Sequence, residues 1–311
     1  MIRTPQLHIA GIPVLSVLRN QNTICKAVAV SGFGYWSGLD VTVEFHPAPE
    51  NHGIQFVRCD LPGQPMLPGR IVHRSHSPRR TTICRDGVSV EMIEHVMAAL
   101  YALRIDNCRI VVNQSEMPCF DGSSLAFVQA LTQVGTQQQN QLRKQLIVNE
   151  ALRIGDDEHC WIQIEPCDCL KVTYHLDYPN QPLIGKQDLE IEISPRTFVN
   201  ELADARTFLL KHEADWLLQQ GLGQRVSYEN VLVYGESGPI DNELRYADEC
   251  VRHKILDVVG DFALSGFEII GHITASRTGH RLNGELTRRL LKHGQVIDHY
   301  APQFISSLKS A

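Results

Sequence analysis

The chain has 311 residues, of which 43% are apolar, and a formal net charge of −6. This composition excludes collagen-like, low-complexity and disordered proteins and predicts a globular chain whose length suits two domains. The sequence has neither a dense run of Lys and Arg nor the roughly 18 consecutive apolar residues of a spanning helix, so we expect no nucleic acid partner and no integral membrane segment.

The amino terminus and the cysteines favour a cytoplasmic protein. Pro5, His8 and Pro13 interrupt the first apolar stretch, and no cleavage site of small residues follows it. The nine cysteines are an odd number in a long chain and include no C-x-x-C pair. We therefore expect free thiols, with no disulfide and no cysteine-bound metal.

The predicted first half has three strands followed by a helix, a strand and a second helix. Apolar stretches between Gly, Pro and Asn clusters predict strands at Cys25 to Val30, Val41 to Phe45, Ile54 to Arg58 and Asn107 to Asn113. Apolar residues at helical spacing predict helices at Glu91 to Leu103 and Ser123 to about Gln133. The Gln-rich segment Thr136 to Gln141 predicts a surface linker, so we place a boundary there between domains 1–140 and 141–311.

The second half begins with strands predicted at Leu146 to Ile154, Trp161 to Ile164, Lys171 to Leu176 and Leu189 to Ile193. It then repeats the earlier order of helix, strand, loop and helix at Tyr246 to Leu264, Phe267 to Ala275 and Gly279 onward. This repetition predicts two copies of one strand-and-helix unit. Leu209 to Leu244 has no counterpart in the first half and predicts an insertion with its own helix, Lys211 to Gln220, and strand, Asn230 to Tyr234.

Three side chains of the predicted second-half helix are candidates for a functional site. His253, Asp257 and Asp261 are four residues apart and therefore share one stripe of the helix. Apolar residues occupy the other faces, so the helix is expected to be buried, and buried charged groups need partners. The spacing H-x-x-x-D lets both side chains bind one zinc ion, although it also suits an ordinary ion pair on a helix surface.

The predicted repeat adds a third metal ligand. His95 opens the first-half helix at about the position where His253 opens the second, so two halves packed about a pseudo-twofold axis would join His95, His253 and Asp257. Three protein ligands with an open fourth position are typical of catalytic zinc. Glu94 then becomes a candidate general base for a water molecule, although the helix dipole also favours an acid in a first turn.

Three more residues are expected near the same face. His280 could pair with Asp261 as a cation that stabilises an oxyanion or protonates a leaving amine, the alternative being an exposed loop histidine. Thr207 could donate a hydrogen bond to an oxyanion, and Phe208 could wall an apolar passage. For Thr207 and Phe208 the alternative is a plain transition from helix to loop.

These residues lie in six motifs that together resemble one family, from about Thr23 to about Leu291. The motifs are Ile93-Glu-His-Val-Met-Ala-Ala99, Ile105-Asp-Asn107, Glu116-Met-Pro-Cys-Phe-Asp-Gly-Ser123, Ala205-Arg-Thr-Phe208, Arg252-His-Lys-Ile-Leu-Asp-Val-Val-Gly-Asp261 and Gly279-His280. They closely resemble UDP-3-O-acyl-N-acetylglucosamine deacetylase, the zinc amidase of lipid A biosynthesis. The resemblance implies an α+β fold of two duplicated domains, each a sheet layered with two helices, with the active site between them.

The resemblance also implies roles for individual residues. His95, His253 and Asp257 match the family's zinc ligands, and ferrous iron suits the same donors. Glu94 matches the general base, and His280 matches a cationic histidine that Asp261 orients. Thr207 matches the threonine on the oxyanion side, whereas Lys254 and Phe208 match substrate contacts. The insertion at 209–244 matches the family's acyl-chain passage, and no obligate protein partner is implied.

One motif departs from the family pattern. The family usually has G-x-G-L/I-H-S/T-G, whereas this chain has Gly32-Phe-Gly-Tyr-Trp-Ser-Gly38, so that Trp36 replaces an imidazole near the site. Tryptophan stacks and donates one hydrogen bond but carries no charge at neutral pH. The departure bears on substrate contacts around this turn and on the pH profile, and it leaves the metal ligands intact.

The expected activity is zinc-dependent hydrolysis of the acetamide of UDP-3-O-acyl-N-acetylglucosamine, which gives the free amine and acetate in the committed step of lipid A biosynthesis. One alternative, motivated by Trp36, is a zinc deacetylase that acts on another acylated nucleotide sugar. A second alternative is a catalytically silent homologue that binds zinc and a lipid-linked sugar. Glu94, His280 and Thr207 argue against the silent homologue, because a binding protein needs neither a base nor an oxyanion group.

Overall fold

The computed structural model describes residues 18–156 and 159–298, which form an α+β fold. The amino-terminal stretch on which the prediction about a leader depends lies outside these residues. Within the described part, no helix combines the length and the apolar character that crossing a membrane requires.

The first half contains most of its strands before the first helix. Its strands are β1 (Asn20–Ile24), β2 (Val28–Phe33), β3 (Asp40–Pro47), β4 (Ile54–Arg58), β5 (Met66–Pro68), β6 (Arg74–Ser75), β7 (Thr82–Arg85), β8 (Val88–Glu91), β9 (Cys108–Val112) and β10 (Thr136–Leu142). Its α-helices are α1 (Glu94–Ala102) and α2 (Leu125–Val134), and a 3-10 turn occupies Ile71–His73.

The second half has its two longest helices near its end, on either side of one strand. Its strands are β11 (Gln145–Ile147), β12 (Leu152–Asp156), β13 (Cys160–Glu165), β14 (Leu170–Tyr178), β15 (Gly185–Glu192), β16 (Phe208–Leu210), β17 (Leu232–Tyr234), β18 (Glu268–Ser276) and β19 (Gln295–Ile297). Its helices are α3 (Pro195–Glu201), α4 (Lys211–Gln219), α5 (Glu249–Ala263) and α6 (His280–His293).

The main sheets of the two halves share one strand order. The first-half sheet runs β2-β3-β9-β4-β5, with β9 parallel to β4 and the other neighbours antiparallel. The second-half sheet contains the path β12-β13-β18-β14-β15, with β18 parallel to β14 and the other neighbours antiparallel. This common order supports the predicted repeat of one unit, which stays a prediction.

The sequence pattern explains why one face of each sheet is buried. In β3 the apolar Val41, Val43 and Phe45 alternate with more exposed residues, as expected of a strand that is covered on one face. Helix α5 is buried along nearly its whole length, so it forms the centre of the fold rather than a surface helix.

Helices α1 and α5 join the two halves at a very close contact. A Cβ atom built on Gly260 of α5 would lie 2.1 Å from the carbonyl oxygen of Glu94 in α1. Only glycine therefore allows the two backbones to approach this closely. This contact brings the start of α1, with Glu94 and His95, against the last part of α5, next to Asp257 and Asp261.

Several predicted elements are confirmed, including Ile54 to Arg58 and the two long second-half helices, and four predictions are wrong in detail. The strand predicted at Cys25 to Val30 begins only at Val28, because residues 25–27 form the turn between β1 and β2. Helix α1 begins at Glu94 rather than Glu91, because Glu91 belongs to β8 and pairs with Thr82 of β7, and because Met92 has a positive φ of 59°. The strand predicted at Leu146 to Ile154 is likewise two strands, β11 and β12, separated by residues 148–151.

The fourth wrong prediction is the linker at Thr136 to Gln141, which forms strand β10 and pairs antiparallel with β1. This strand has no apolar face, so its amide side chains make its side-chain contacts with the rest of the protein. Gln139 accepts a hydrogen bond from Asn107 (2.7 Å) and donates one to the carbonyl oxygen of Ala48 (2.9 Å).

We expect Gly260→Ala to destabilise the protein by roughly 1–3 kcal/mol, because the added methyl group forces α1 and α5 apart. Urea denaturation measures this change in the free energy of unfolding. The sign of the change in the free energy of unfolding is informative, because the same substitution in an uncrowded helix interior stabilises a protein by about 1 kcal/mol. Gly279→Ala is the control, as nothing lies within 4 Å of its added Cβ. A Gly260→Ala protein as stable as wild type contradicts the close contact.

Candidate active site

A cavity of about 550 Å³ lies where α1, α5, the start of α6 and the insertion converge. We call it the catalytic cavity. It brings together eight of the nine residues that the sequence singled out for the site: Glu94, His95, Thr207, Phe208, His253, Lys254, Asp257 and His280. The ninth, Asp261, is fully buried behind His280, to which it is hydrogen-bonded.

His95, His253 and Asp257 form a compact group of possible metal ligands. Their ligand atoms lie within 4.8 Å of one another, and all three side chains are buried. Oδ1 of Asp257 lies 3.5 Å from Nε2 of His253 and 3.8 Å from Nε2 of His95. These separations suit a single zinc ion, whose bonds to such ligands are about 2.0–2.2 Å long.

Each ligand is held in position by a contact behind it. Nδ1 of His253 donates to the carbonyl oxygen of Ala205 at 3.0 Å, which leaves Nε2 as the free ring nitrogen that faces Asp257. Nζ of Lys254 donates to Oδ2 of Asp257 at 2.7 Å, which leaves Oδ1 facing the two imidazoles. The rings of His95 and His253 meet edge to face, with centroids 5.0 Å apart.

The protonation states favoured in this group suit a divalent metal ion. Burial, reinforced by the neighbouring His253, lowers the pKa of His95 to about 3, and burial also lowers the pKa of His253. Burial opposes the charge of Asp257, but Lys254 and the histidines hold the pKa of this carboxyl well below its usual range. Neutral imidazoles beside a carboxylate are the protonation states that bind a divalent cation, so the residues fit the metal that the sequence predicted.

Glu94 lies beside this group at the first position of α1 and is only 2% exposed. Its Oε2 accepts a hydrogen bond from the backbone N–H of Thr81 at 2.9 Å, which fixes the carboxyl group at the cavity wall. Burial raises the pKa of Glu94 to about 7. A carboxyl group with such a pKa can both accept and return a proton near neutral pH.

The surroundings of His280 favour a positive charge on its ring. Burial opposes its charge, but the carboxylates of Asp261 and Asp257 outweigh burial and raise the pKa of His280 to about 9. Nδ1 of His280 donates to Oδ2 of Asp261 at 2.9 Å, and Nδ2 of Asn283 donates to the same oxygen at 2.8 Å. The hydroxyl of Thr81 donates to the other oxygen of Asp261. These contacts fix Asp261, and through it the ring of His280.

Thr207, Phe208 and Lys254 also line the catalytic cavity. Thr207 is held by its backbone N–H, which donates to the carbonyl oxygen of Gly122 in the first half at 2.8 Å. The Phe208 ring lies edge-on to the His253 ring, at 6.4 Å between centroids. Lys254 contacts Asp257 directly, so its charge acts on this ligand as well as on the cavity.

Thr81 and Asn283 are site residues that the sequence reasoning missed. Thr81 connects Glu94 and Asp261 but lies 13 residues before Glu94, and no local spacing signals it. Asn283 was recognisable in principle, since it is three residues after His280 and therefore shares its face of α6.

Trp36 lines the catalytic cavity, as its position in the departing motif suggested. Its indole N–H donates to the sulfur of Met92 at 3.2 Å, and the guanidinium of Arg80 lies 4.9 Å from the ring centroid. Its own backbone N–H donates to Glu116 at 2.7 Å. The indole is therefore fixed as a neutral, bulky part of the wall.

Comparisons with known proteins place the chain near one enzyme family. A family model described as UDP-3-O-acyl N-acetylglycosamine deacetylase matches residues 21–292. The UDP-3-O-acyl-N-acetylglucosamine deacetylase of Myxococcus xanthus is 36% identical over 273 residues, which cover 88% of this chain and 86% of the relative. The protein of the same name from Thermosynechococcus vestitus is 38% identical over 281 residues, 90% of this chain and 97% of the relative.

Proposed function

This chain belongs to the UDP-3-O-acyl N-acetylglycosamine deacetylase family, and on that premise we propose that it hydrolyses the acetamide of UDP-3-O-acyl-N-acetylglucosamine to the free amine and acetate. It is an enzyme, a deacetylase that acts on an amide. The observation that carries the proposal is the meeting of the buried side chains of His95, His253, Asp257 and Glu94 at one cavity.

In this proposal His95, His253 and Asp257 hold a zinc ion, and ferrous iron suits the same donors. When bound, the metal supplies Lewis-acid chemistry, which polarises the amide carbonyl and makes a water molecule more acidic. Glu94 orients that water molecule and takes its proton as the water oxygen attacks the carbonyl carbon.

His280 and Thr207 act on the charge that develops during the attack. The imidazolium of His280, oriented by Asp261, and the hydroxyl of Thr207 stabilise the oxyanion as the carbonyl carbon becomes tetrahedral. The carbon–nitrogen bond then breaks, and Glu94 or His280 delivers a proton to the departing amine. Acetate and the free amine are the products, so one water molecule is consumed for each amide cleaved.

Lys254 and Phe208 are proposed substrate contacts, Lys254 through its charge and Phe208 as an apolar wall. The acyl chain is proposed to enter the insertion at 209–244. A second cavity of about 330 Å³, walled mostly by apolar side chains of this insertion, supports that assignment.

We also assign the reaction to the cytoplasm, as the committed step of lipid A biosynthesis. The cysteine pattern supports this compartment, because the nine cysteines are an odd number and include no C-x-x-C pair. The resemblance of six motifs to the deacetylase family supports the assignment to this biosynthetic step. No nucleic acid and no obligate protein partner enters the proposal.

The test is deacetylase activity on UDP-3-O-acyl-N-acetylglucosamine, with the protein stripped of metal and then titrated with Zn²⁺. We expect activity to return at about one zinc per chain and to fall when zinc is in excess. Stoichiometric zinc binding without turnover contradicts the proposed substrate and favours another acylated nucleotide sugar or a silent zinc-binding homologue. Trp36→His separates these two, since turnover of the named substrate by this variant assigns the altered specificity to the indole.

A further inference from the structure

The apolar cavity of the insertion, called here the side cavity, adjoins the catalytic cavity. Two residues, Tyr35 and Leu209, line both cavities and therefore form the wall between them. Tyr35 comes from the first half, directly before Trp36, and Leu209 comes from β16 at the start of the insertion. Any extended ligand that occupies both cavities has to pass these two side chains.

The side cavity is built to take an alkyl chain. Its deeper wall is formed by aliphatic side chains, among them Leu217, Val231 and Val233, which are 5%, 3% and 3% exposed. Each methylene group that such a wall removes from water gains roughly 0.8 kcal/mol, which is about fourfold in affinity. A polar headgroup in the catalytic cavity with its chain in the side cavity would match the chemistry of both.

Tyr35 is a fixed obstacle at this passage. Its side chain is 6% exposed and lies in an apolar cluster with Cys119, Val231 and Val233. The Trp36 ring packs edge-on against the Tyr35 ring, with centroids 5.0 Å apart and an interplanar angle of 66°. The phenol ring therefore has packed neighbours on two sides, which limits the room in which it can rotate.

The backbone that carries Tyr35 is equally constrained. Glu116 accepts hydrogen bonds from the backbone N–H groups of Trp36 (2.7 Å) and Ser37 (3.0 Å). A Cβ atom on Gly34 would lie 2.4 Å from Oε2 of the same glutamate, so the turn packs tightly on the carboxylate. The turn cannot shift Tyr35 away from the passage without breaking these contacts.

We propose that Tyr35 determines which acyl-chain lengths this enzyme accepts, by narrowing the passage between the catalytic cavity and the side cavity. The inference deepens the proposed function and rests on it. A short chain ends before the ring and is unaffected. A longer chain has to pass between the Tyr35 ring and Leu209. Its additional methylene groups therefore contribute less binding free energy than they would in an open passage.

The experiment compares wild type, Tyr35→Leu and Tyr35→Phe on UDP-3-O-acyl-N-acetylglucosamines whose straight acyl chains differ by two carbons. We expect Tyr35→Phe to keep the wild-type dependence of kcat/KM on chain length, because it retains the ring. We expect Tyr35→Leu to favour longer chains, by about 15-fold in kcat/KM for two additional methylenes. Ratios between chain lengths within one variant are independent of the fraction of protein that is folded.

Leu209→Phe provides a second test, which does not require Tyr35 to be replaced. The larger ring narrows the passage from the opposite side, so the preferred chain length should become shorter. Identical chain-length dependence in wild type, Tyr35→Leu and Leu209→Phe overturns the proposal.

A binding measurement separates this inference from the proposed function. Calorimetric titration with UDP-3-O-acylglucosamines of the same chain lengths needs no turnover, and Tyr35→Leu should improve affinity selectively for the longer chains. If wild type deacetylates none of the series, the proposed function fails, and binding alone then decides the role of Tyr35. Coinciding affinity profiles of wild type and Tyr35→Leu would in that case overturn it.

Discussion

We expect Glu94→Gln to lower kcat by about 10²- to 10⁴-fold, the usual contribution of a positioned general base. Glutamine has the shape of glutamate and can still accept the hydrogen bond from the backbone N–H of Thr81, so the wall of the cavity is retained. Its amide cannot take a proton from water, so the loss falls on the chemical step. Steady-state kinetics with UDP-3-O-acyl-N-acetylglucosamine, together with the zinc content of the purified protein, provide the measurement.

The control for this variant is Glu285→Gln, the same change at a half-exposed position of α6 where the carboxylate contacts only Arg281 and Arg289 among the described residues. We expect wild-type kcat from this control, and zinc binding in both variants should equal that of wild type. A wild-type rate from Glu94→Gln would show that another group activates the water.

We expect Asp261→Asn to lower kcat by about 10²- to 10³-fold, which is typical of the loss of one group that stabilises an oxyanion. The variant removes the carboxylate that orients the His280 ring and favours its charge. Asp261 makes no contact with the three proposed metal ligands that involves its side-chain oxygens, which instead bind Thr81, His280 and Asn283. Zinc binding should therefore persist while turnover falls.

The same variant changes the pH profile in a defined direction. In wild type the pKa of His280 is about 9, so its charge is present at neutral pH and is lost as the pH rises through 9. Without Asp261, burial favours the neutral ring, and the alkaline limb of kcat should move to lower pH. Asp188→Asn is the matched control, because Asp188 pairs with His175 on an exposed sheet face. An unchanged alkaline limb in Asp261→Asn contradicts the role of His280 as a cation.

Helix α5, which carries four of the nine site residues, was predictable because its spacing and its chemistry agree. His253, Asp257 and Asp261 recur every four residues among apolar neighbours, and α5 is the buried helix that this pattern indicates. The repeat of helix and strand then located His95, which α1 presents to the same cavity.

Contacts between distant segments were not predictable in this way. Thr81 bonds both Glu94 and Asp261, and Tyr35 faces an insertion that begins about 170 residues later, yet neither position has a periodic signal. Strand β10 was missed for a related reason. Its residues are polar on both faces and its partner β1 is more than 110 residues away, so hydrophobic alternation could not reveal it.

The division of the proposed ligands between two helices has a thermodynamic consequence. His95 belongs to α1 and Asp257 to α5, and these helices meet at the contact of Gly260 with Glu94. A cation that binds both side chains adds its binding free energy to the association of the two halves. By linkage, any change that loosens the contact between the halves lowers the affinity for the cation. The heat resistance of this protein should therefore rise with the concentration of free metal, and a substitution far from any ligand can act as a metal-affinity mutation.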